Sequence, residues 1–514
     1  MIFAVAMIFI DQTIVAIAAP ELQKDLGLSQ TGVQWIINGY LLALSALFAF
    51  GGRLSDIVGH RRMVVIGVVV FAGSSALCGA TPDGDLAEAW IIVFRVLEGA
   101  GAALMFPAAL AIVVNSFPLH ERGRAMAIFF AVAGGLTSVG PIAGGYLTEW
   151  TWRAIFWVNV PVAIIALVLT AISKPVSAKA PAPLDYRGTV LIAGGMGLSV
   201  LGLQQSAVWG WGDPATWACI AAGAALLVAF VAYERRTSDP LIRVRIFRDR
   251  GFTIDNAVLF LSMIAFVPVF FFASMYAQIS LEYSASEAGL YLLVFFAGFA
   301  TAAQIGGRIL DRVGARPAVV LGCLIAAVGF ALWGRELPDL SFDGQWPFIA
   351  LAGAGIGLLL GPANTDAINR APRTSYGEAT GITQTVRNYG SSLGLAVMGT
   401  LLIAQNKSHI ESTLADEGIS KSTADQVADA VTQSGGGDSG SFGEHAGARA
   451  REIFEAVQLD FGYASRTVFY VMAGALAVAF VVALIAMPKG RVEEVVGAPG
   501  EAPSTPDVPL APHS

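Results

Sequence analysis

The chain has 514 residues, 55% of them hydrophobic and only 13% charged, with a formal net charge of −7. Soluble domains carry about 25% charged residues, so a soluble globular protein and a disordered chain are both excluded. The acidic balance argues against nucleic acid as a partner.

Fourteen apolar spans follow in chain order, at about 2–19, 33–51, 63–81, 89–116, 125–147, 154–173, 188–208, 216–233, 252–279, 286–306, 317–334, 346–370, 378–404 and 467–487. Each is near or above the roughly 20 residues that cross about 30 Å of hydrocarbon, which predicts an all-α, polytopic membrane protein. A β-barrel would show short alternating segments instead. The first span begins almost at Met1, without a charged leader or a clear cleavage site. It is read as a true span, with a natural start upstream as the accompanying expectation. Twenty-one Lys and Arg fall in the loops that share a side with both termini, and eight in the opposite set. Five of those eight belong to the long segment 407–466, and long loops count little in the positive-inside rule. The comparison of 21 with 3 puts both termini in the cytoplasm, and a plasma (inner) membrane is the expected location. The external segment 407–465 holds ten Asp/Glu against four Lys/Arg, which nearly accounts for the net charge. It reads as an amphipathic stretch (414–431), a Gly/Ser hinge (434–443) and a second helical stretch (446–459). Residues 489–514 read as a disordered cytoplasmic tail. Cys78, Cys219 and Cys323 all lie in apolar runs and read as small core residues.

Two loops match almost residue for residue. GGRLSDIVGHR at 51–61 follows the second span, and GGRILDRVGAR at 306–316 follows the tenth, at an offset of 255. Eight of the eleven positions are identical or exchange Leu for Ile. A tight helix–helix turn explains the glycines, and each aspartate can face a neighbouring helix N-terminus, where the dipole favours an anion. The arginines then sit at the anionic lipid surface. Gly52, Asp56, Gly59 and Arg61, with Gly307, Asp311, Gly314 and Arg316, are therefore candidate conformational residues.

Parallel repeats of this kind are a design of the major facilitator transporters. The repeated loop resembles that superfamily's signature G-x-x-x-D-x-x-G-R-[RK]. Arg95-Val96-Leu97-Glu98-Gly99-Ala100-Gly101 resembles its R-x-x-Q-G-x-G motif, with Glu98 in place of the usual Gln. GLTSVGPIAGG at 135–145, with Gly140, Pro141, Gly144 and Gly145, resembles the fifth-helix antiporter motif ending G-P-x-x-G-G. Asp11-Gln12-Thr13-Ile14-Val15, followed by Ala18-Ala19-Pro20, is similar to D-x-T-I-V-N-x-A-L-P of the fourteen-helix drug:proton antiporters. Trp152-Arg153, Phe156 and Asn159-Val160-Pro161 match that group's W-R-x-x-F-x-x-N-x-P. Asp239-Pro240-Leu241 with Phe247-Arg248 fits its loop before the C-terminal half. The resemblance implies the major facilitator fold, with six-helix bundles over 1–173 and 251–488. Spans 7 and 8, within 174–250, read as an inserted pair that faces lipid or serves packing.

Charged residues deep in a span cost roughly 2.5–3.5 kcal/mol on insertion scales and therefore point to function. Asp11, Arg95, Glu98 and Arg387 qualify by depth. An unpaired carboxylate at the depth of Asp11 is costly, which suits it to carrying a proton or attracting a lipophilic cation. Arg95 and Glu98 are three apart and share a helix face. They read either as a fixed ion pair or as a group in which Arg95 governs proton release and Glu98 competes for the proton or a cationic substrate. Arg387 requires a partner from another helix or an anionic substrate group. Asp255 and Asp366 lie nearer the span ends and read as solvated boundary carboxylates. Phe266, Phe270 and Tyr276, with Gln278, form a candidate substrate pocket that could stack on a planar cation. Glycines and prolines in spans 4, 5 and 12 allow close approach and bending.

The expected function is a secondary active transporter. By resemblance it exports drugs or other lipophilic, cationic compounds in exchange for protons by alternating access. A narrow exporter of one antibiotic, metabolite or lipid is the alternative, and a non-transporting membrane sensor or scaffold is another from a different class. No enzyme is expected. Gly390-Ser391-Ser392-Leu393-Gly394 fits the hydrolase elbow G-x-S-x-G but lies in an apolar helix, and no phosphate-binding G-x-x-x-x-G-K-[ST] exists. The five histidines lack metal spacing, and no cofactor is implied. The expected partners are a small lipophilic substrate, protons and the bilayer, with a periplasmic adaptor as a further candidate and a monomer as the working unit.

Overall fold

The computed structural model describes residues 1–116, 139–173, 184–238, 240–370, 376–416 and 448–490. Of the residues named above, 125–138, 174–183, Asp239, 371–375, 417–447 and the tail beyond 490 lie outside this set. Every regular element among the described residues is helical. The reason is physical: in hydrocarbon a backbone must satisfy its own hydrogen bonds, and an apolar run does so as a helix.

The first half comprises α1 (Ile2–Leu26), α2 (Gln30–Val58), α3 (His60–Gly79), α4 (Ala87–Ser116), α5 (Val139–Trp150), the short α6 (Ala154–Trp157) and α7 (Asn159–Ser173). The inserted pair is α8 (Tyr186–Trp209) and α9 (Pro214–Glu234). The second half comprises α10 (Arg250–Ile279), α11 (Ala285–Val313), α12 (Ala315–Glu336), α13 (Phe342–Asn369), α14 (Tyr376–Asp416) and α15 (Ala448–Ala486). Among the described residues, twelve helical stretches are long and apolar enough to cross a membrane, with α6 and α7 counting as one. The two remaining expected spans are the more polar α14 and the one whose described part is α5. α14 runs on past residue 404, and α15 begins well before 467, so parts of the predicted 407–465 loop are helical extensions.

Local chemistry sets the helix ends. Ser29 Oγ accepts from Gly32 N at 2.9 Å, Asp185 from Gly188 N at 2.8 Å and Asp249 from Phe252 N at 2.7 Å, each capping a helix that follows. Ser284 and Glu287 form a reciprocal capping box at the start of α11. The repeated loops form the same turn. Gly59 ends α2 with φ 102° and Gly314 ends α11 with φ 95°, a region that disfavours side chains. Gly59 N–H donates to Ser55 O, and Gly314 N–H donates to Leu310 O.

Packing follows the repeat. α4 packs against α2 and α3, and α13 packs in the same way against α11 and α12. The close approaches recur as well. A Cβ at Gly51 would collide with Ala103 O on α4, and one at Gly306, 255 residues on, would lie 2.6 Å from Leu358 O on α13. Gly67 meets Gly101 O, and Gly322, again 255 on, meets Gly355 O. The steric demand of the repeated loop thus falls on Gly51 and Gly306; a Cβ at Gly52 would only touch Pro107, and Gly307 has open space.

Burial orders the helices. α10 is 83% buried along its apolar window and α9 only 17%, so α10 is central and α9 peripheral. α8 is not a purely apolar spacer. It packs against α2 of the first half and α14 of the second. Gln204 Oε1 accepts from Asn38 Nδ2 at 2.6 Å, and Asn38 Oδ1 accepts from Ser392 Oγ at 2.6 Å. Thr400 Oγ1 donates to Leu203 O at 2.9 Å, and Ser199 and Tyr389 share a hydrogen bond of 2.7 Å. One helix of the insert therefore closes the α2–α14 seam with buried polar bonds.

Candidate functional site

Asp11 lies near the middle of α1 with no exposed surface, and Arg95 and Glu98 lie on α4 with 1% and 0% exposure. The three meet. Arg95 Nη1 lies 3.0 and 2.8 Å from the two Asp11 oxygens and 2.7 Å from Glu98 Oε2. Arg95 Nε donates to Ile36 O on α2 at 2.9 Å. The Tyr40 ring lies 4.5 Å from the guanidinium carbon, a cation–π contact in a dry environment. The Ser75 hydroxyl lies beside the Glu98 carboxyl and donates to Phe156 O at 3.0 Å.

The sequence reading treated Asp11 apart from the Arg95–Glu98 pair. The structure joins them: two carboxyl groups share one guanidinium, and if both are ionised the buried cluster carries one surplus negative charge. Such a charge is costly away from water. A proton or a cationic ligand relieves it. That gives the cluster a chemical capacity that a balanced one-to-one pair lacks.

The residues of the W-R-x-x-F-x-x-N-x-P pattern back this cluster. Asn159 Nδ2 donates to Ser75 Oγ at 2.9 Å, and the Phe156 ring centre lies 5.9 Å from the Arg95 guanidinium carbon. Trp152 Nε1 donates to Asp25 Oδ2 at 2.6 Å, tying the far end of α1. Arg153 Nη1 donates to Gly79 O at 3.2 Å and Thr81 O at 2.7 Å, tying the end of α3.

Arg387 lies on α14, away from these groups. Its Nη1 donates to Gln384 Oε1 at 2.7 Å and its Nε has no partner. Among the described residues no carboxylate is recorded in an ion pair with it.

The aromatic candidates pack into the second half. Phe270 stacks on Phe296 at 5.0 Å and Phe266 on Phe299 at 5.7 Å, so their faces meet α11. Tyr276 OH donates to Leu337 O at 2.6 Å and accepts from Gln345 Nε2 at 2.8 Å. Gln278 Nε2 donates across the two halves to Ile17 O on α1 at 3.0 Å.

The fifth-helix glycines form a second junction between halves. A Cβ at Gly140 would overlap the Thr13 side chain, and one at Gly144 would press on Ile14, both on α1. On the other side, a Cβ at Gly145 would lie 2.6 Å from Ser286 Cα, and one at Gly289 would overlap Pro141 O. α5 is thus clamped between α1 and α11. At its end the Glu149 carboxylate accepts a short hydrogen bond from Ser286 Oγ. Its carboxyl is held below the usual glutamate range, chiefly by Ser286 and also by Ser284.

At the arginine-rich end of the repeat, His60 Nε2 lies 3.9 Å from Asp56 Oδ1, so Asp56 faces the first turn of α3. Arg316 Nη2 donates to Leu484 O on α15 at 2.6 Å. Asp255 and Asp366 correct the expectation of solvated boundary carboxylates. They are 0% and 3% exposed and both pair with Arg370, because they face each other between α10 and α13. The sequence signal for this was the i,i+4 spacing of Asp366 and Arg370.

Two pseudo-repeated helical halves around buried ion clusters define a polytopic membrane transporter, not an enzyme. The Major Facilitator Superfamily model matches residues 1–395. The chain is 34% identical over 510 residues to a tetracenomycin C resistance and export protein of Streptomyces glaucescens, covering 97% of this chain and 92% of that one. It is 34% identical over 421 residues to the puromycin resistance protein pur8 of Streptomyces alboniger, covering 80% and 82%. The fold resembles the crystal structure of a bacterial homologue of the human lysosomal transporter Spinster, in an inward-facing, occupied conformation. That likeness has a TM-score of 0.58 at 18% identity over 94% of each chain. The chain belongs to the Major Facilitator Superfamily.

Proposed function

We propose that this protein exports drug- or antibiotic-type lipophilic compounds across the plasma membrane, driven by inward proton movement. The observation that carries the reading is the buried set Asp11, Arg95 and Glu98, with its two acids on one guanidinium. Resistance and export relatives at 34% identity support the export direction.

In this reading both termini are cytoplasmic, and the face joined by Glu149 and Ser286 is external. The cluster binds a proton when open to the outside, the halves rearrange, and the proton leaves to the cytoplasm as substrate enters. One charge moving inward gains about 2.3 kcal/mol per 100 mV before any pH gradient. The α5 glycines serve as the close-packed pivot on which the halves rock. Asp56 and its repeat counterpart Asp311 stabilise the cytoplasmic turns during the cycle.

The test is dye efflux from pump-deficient cells expressing the wild type or Asp11→Asn, with and without a protonophore, using an ethidium-type cation. Protonophore-sensitive efflux that disappears in the variant is expected. Full efflux by a well-inserted Asp11→Asn would remove Asp11 from coupling. Arg387, with no acidic partner recorded among the described residues, favours a second reading, a narrow exporter whose substrate carries an acidic group. A panel of acidic and cationic compounds separates the two: Arg387→Gln should spare cations and abolish transport of the acids.

A further inference from the structure

The acidic pair beside Arg370 has no part in the cycle described above. Asp255 projects from the first turns of α10, Asp366 from the last turn of α13, and Arg370 follows it. Arg370 Nε lies 3.2 Å from Asp255 Oδ2, and Nη2 lies 2.7 Å from Asp366 Oδ2. Gly251 leaves room for the arginine, since a Cβ there would overlap its side chain. Asp249, which caps α10, is the other acid recorded as acting on Arg370.

Two features go beyond an ordinary ion pair. Asp255 has no exposed surface, yet its Oδ1 has no hydrogen-bond partner. A buried carboxylate oxygen without a donor is strongly disfavoured. Among the described residues the charge count is also unbalanced, with two buried acids on one guanidinium. A single proton held between Asp255 and Asp366 removes the surplus charge and supplies a missing donor. Arg370 is 14% exposed, so the cluster also touches water at the arginine-rich face.

The composition repeats that of Asp11, Arg95 and Glu98. The helices correspond too: α10 and α13 are the first and fourth of the second half, as α1 and α4 are of the first. The depth differs, because the first cluster is central and the second lies at one membrane surface. We propose that Asp255, Asp366 and Arg370 form a second proton-binding site, at the arginine-rich end of the second half. This goes beyond the export reading and stands without it.

The test needs no substrate. The full-length protein is reconstituted in phosphatidylethanolamine–phosphatidylglycerol vesicles, and infrared difference spectra are recorded as the pH is stepped. A carbonyl band of a protonated carboxylic acid is expected to persist in the Asp11→Asn/Glu98→Gln double variant and to vanish when Asp255→Asn is added to that double variant. Asp366→Asn in the same double-variant background leaves a balanced Asp255–Arg370 pair and should lose the band as well, which keeps the test available if Asp255→Asn does not fold. A band unchanged in both folded variants, or absent once Asp11 and Glu98 are replaced, overturns the proposal. Dye efflux plays no part in the readout, so failure here leaves the export reading separately testable.

Discussion

Arg95 is the residue whose removal should cost most. It is the counter-charge of two carboxyl groups that have 0% exposure. Breaking a buried pair by deleting one partner costs about 3–5 kcal/mol, because the other charge is left uncompensated. Arg95→Met is therefore expected to lower the thermal unfolding temperature of purified protein sharply at neutral pH. Adding Asp11→Asn and Glu98→Gln should restore most of the loss, since no charge then remains buried. Equal losses in both backgrounds would mean that packing, not charge, explains the effect. The four deep charges were legible because a charge in an apolar run is expensive. That Asp11 meets Arg95 was not legible, because apolar helices carry little polar face to fix their rotation. The same gap hid the inward orientation of Asp255, since a carboxylate near a span end is equally compatible with water or with a buried arginine.

At the scale of elements, the repeat was the strongest signal in the sequence, and the helix contacts follow it. The offset of 255 joins the two loops, whose Gly51 and Gly306 meet equivalent helices, and also joins Gly67 with Gly322. Gly59 and Gly314 hold φ near 100° at equivalent turns. Gly59→Ala and Gly314→Ala should each cost about 1–3 kcal/mol, the usual penalty for a residue held in a sparsely populated region. Parallel thermal shifts for the two variants are expected, and a shift at only one would break the structural equivalence. Gly145→Val should separate α5 from α11, because the added atoms would enter the Ser286 backbone. Rapid labelling of cysteines placed along that seam, with efflux lost and expression retained, is the expected result. Element limits were less legible than element order. α14 and α15 extend beyond the apolar runs because a helix continues wherever its polar residues can reach water or one another, as Lys407 and Glu411 do at 3.9 Å.

For the whole molecule, the inserted pair changes how the halves meet. Its apolar composition concealed Gln204, Ser199 and the Leu203 carbonyl, which bond α8 to both halves. The seam between α2 and α14 is therefore fastened along its length, while α5 and α11 meet at one end through Glu149 and Ser286. The contact at that end depends on pH. Bonds from Ser286 and Ser284 stabilise the ionised Glu149 carboxylate, so its value is lowered in the joined arrangement. A group whose value is depressed on joining contributes its stabilisation above the ordinary glutamate range and loses it as the pH falls through the lowered value. Acidification of that face should therefore favour separation of α5 from α11. Distances between spin labels at the ends of the two helices should lengthen as the pH drops through the acidic range. Glu149→Gln removes the titration, so its distance should not change with pH over the same interval. A wild-type distance that ignores pH, or a variant that still follows it, would assign the opening to another group.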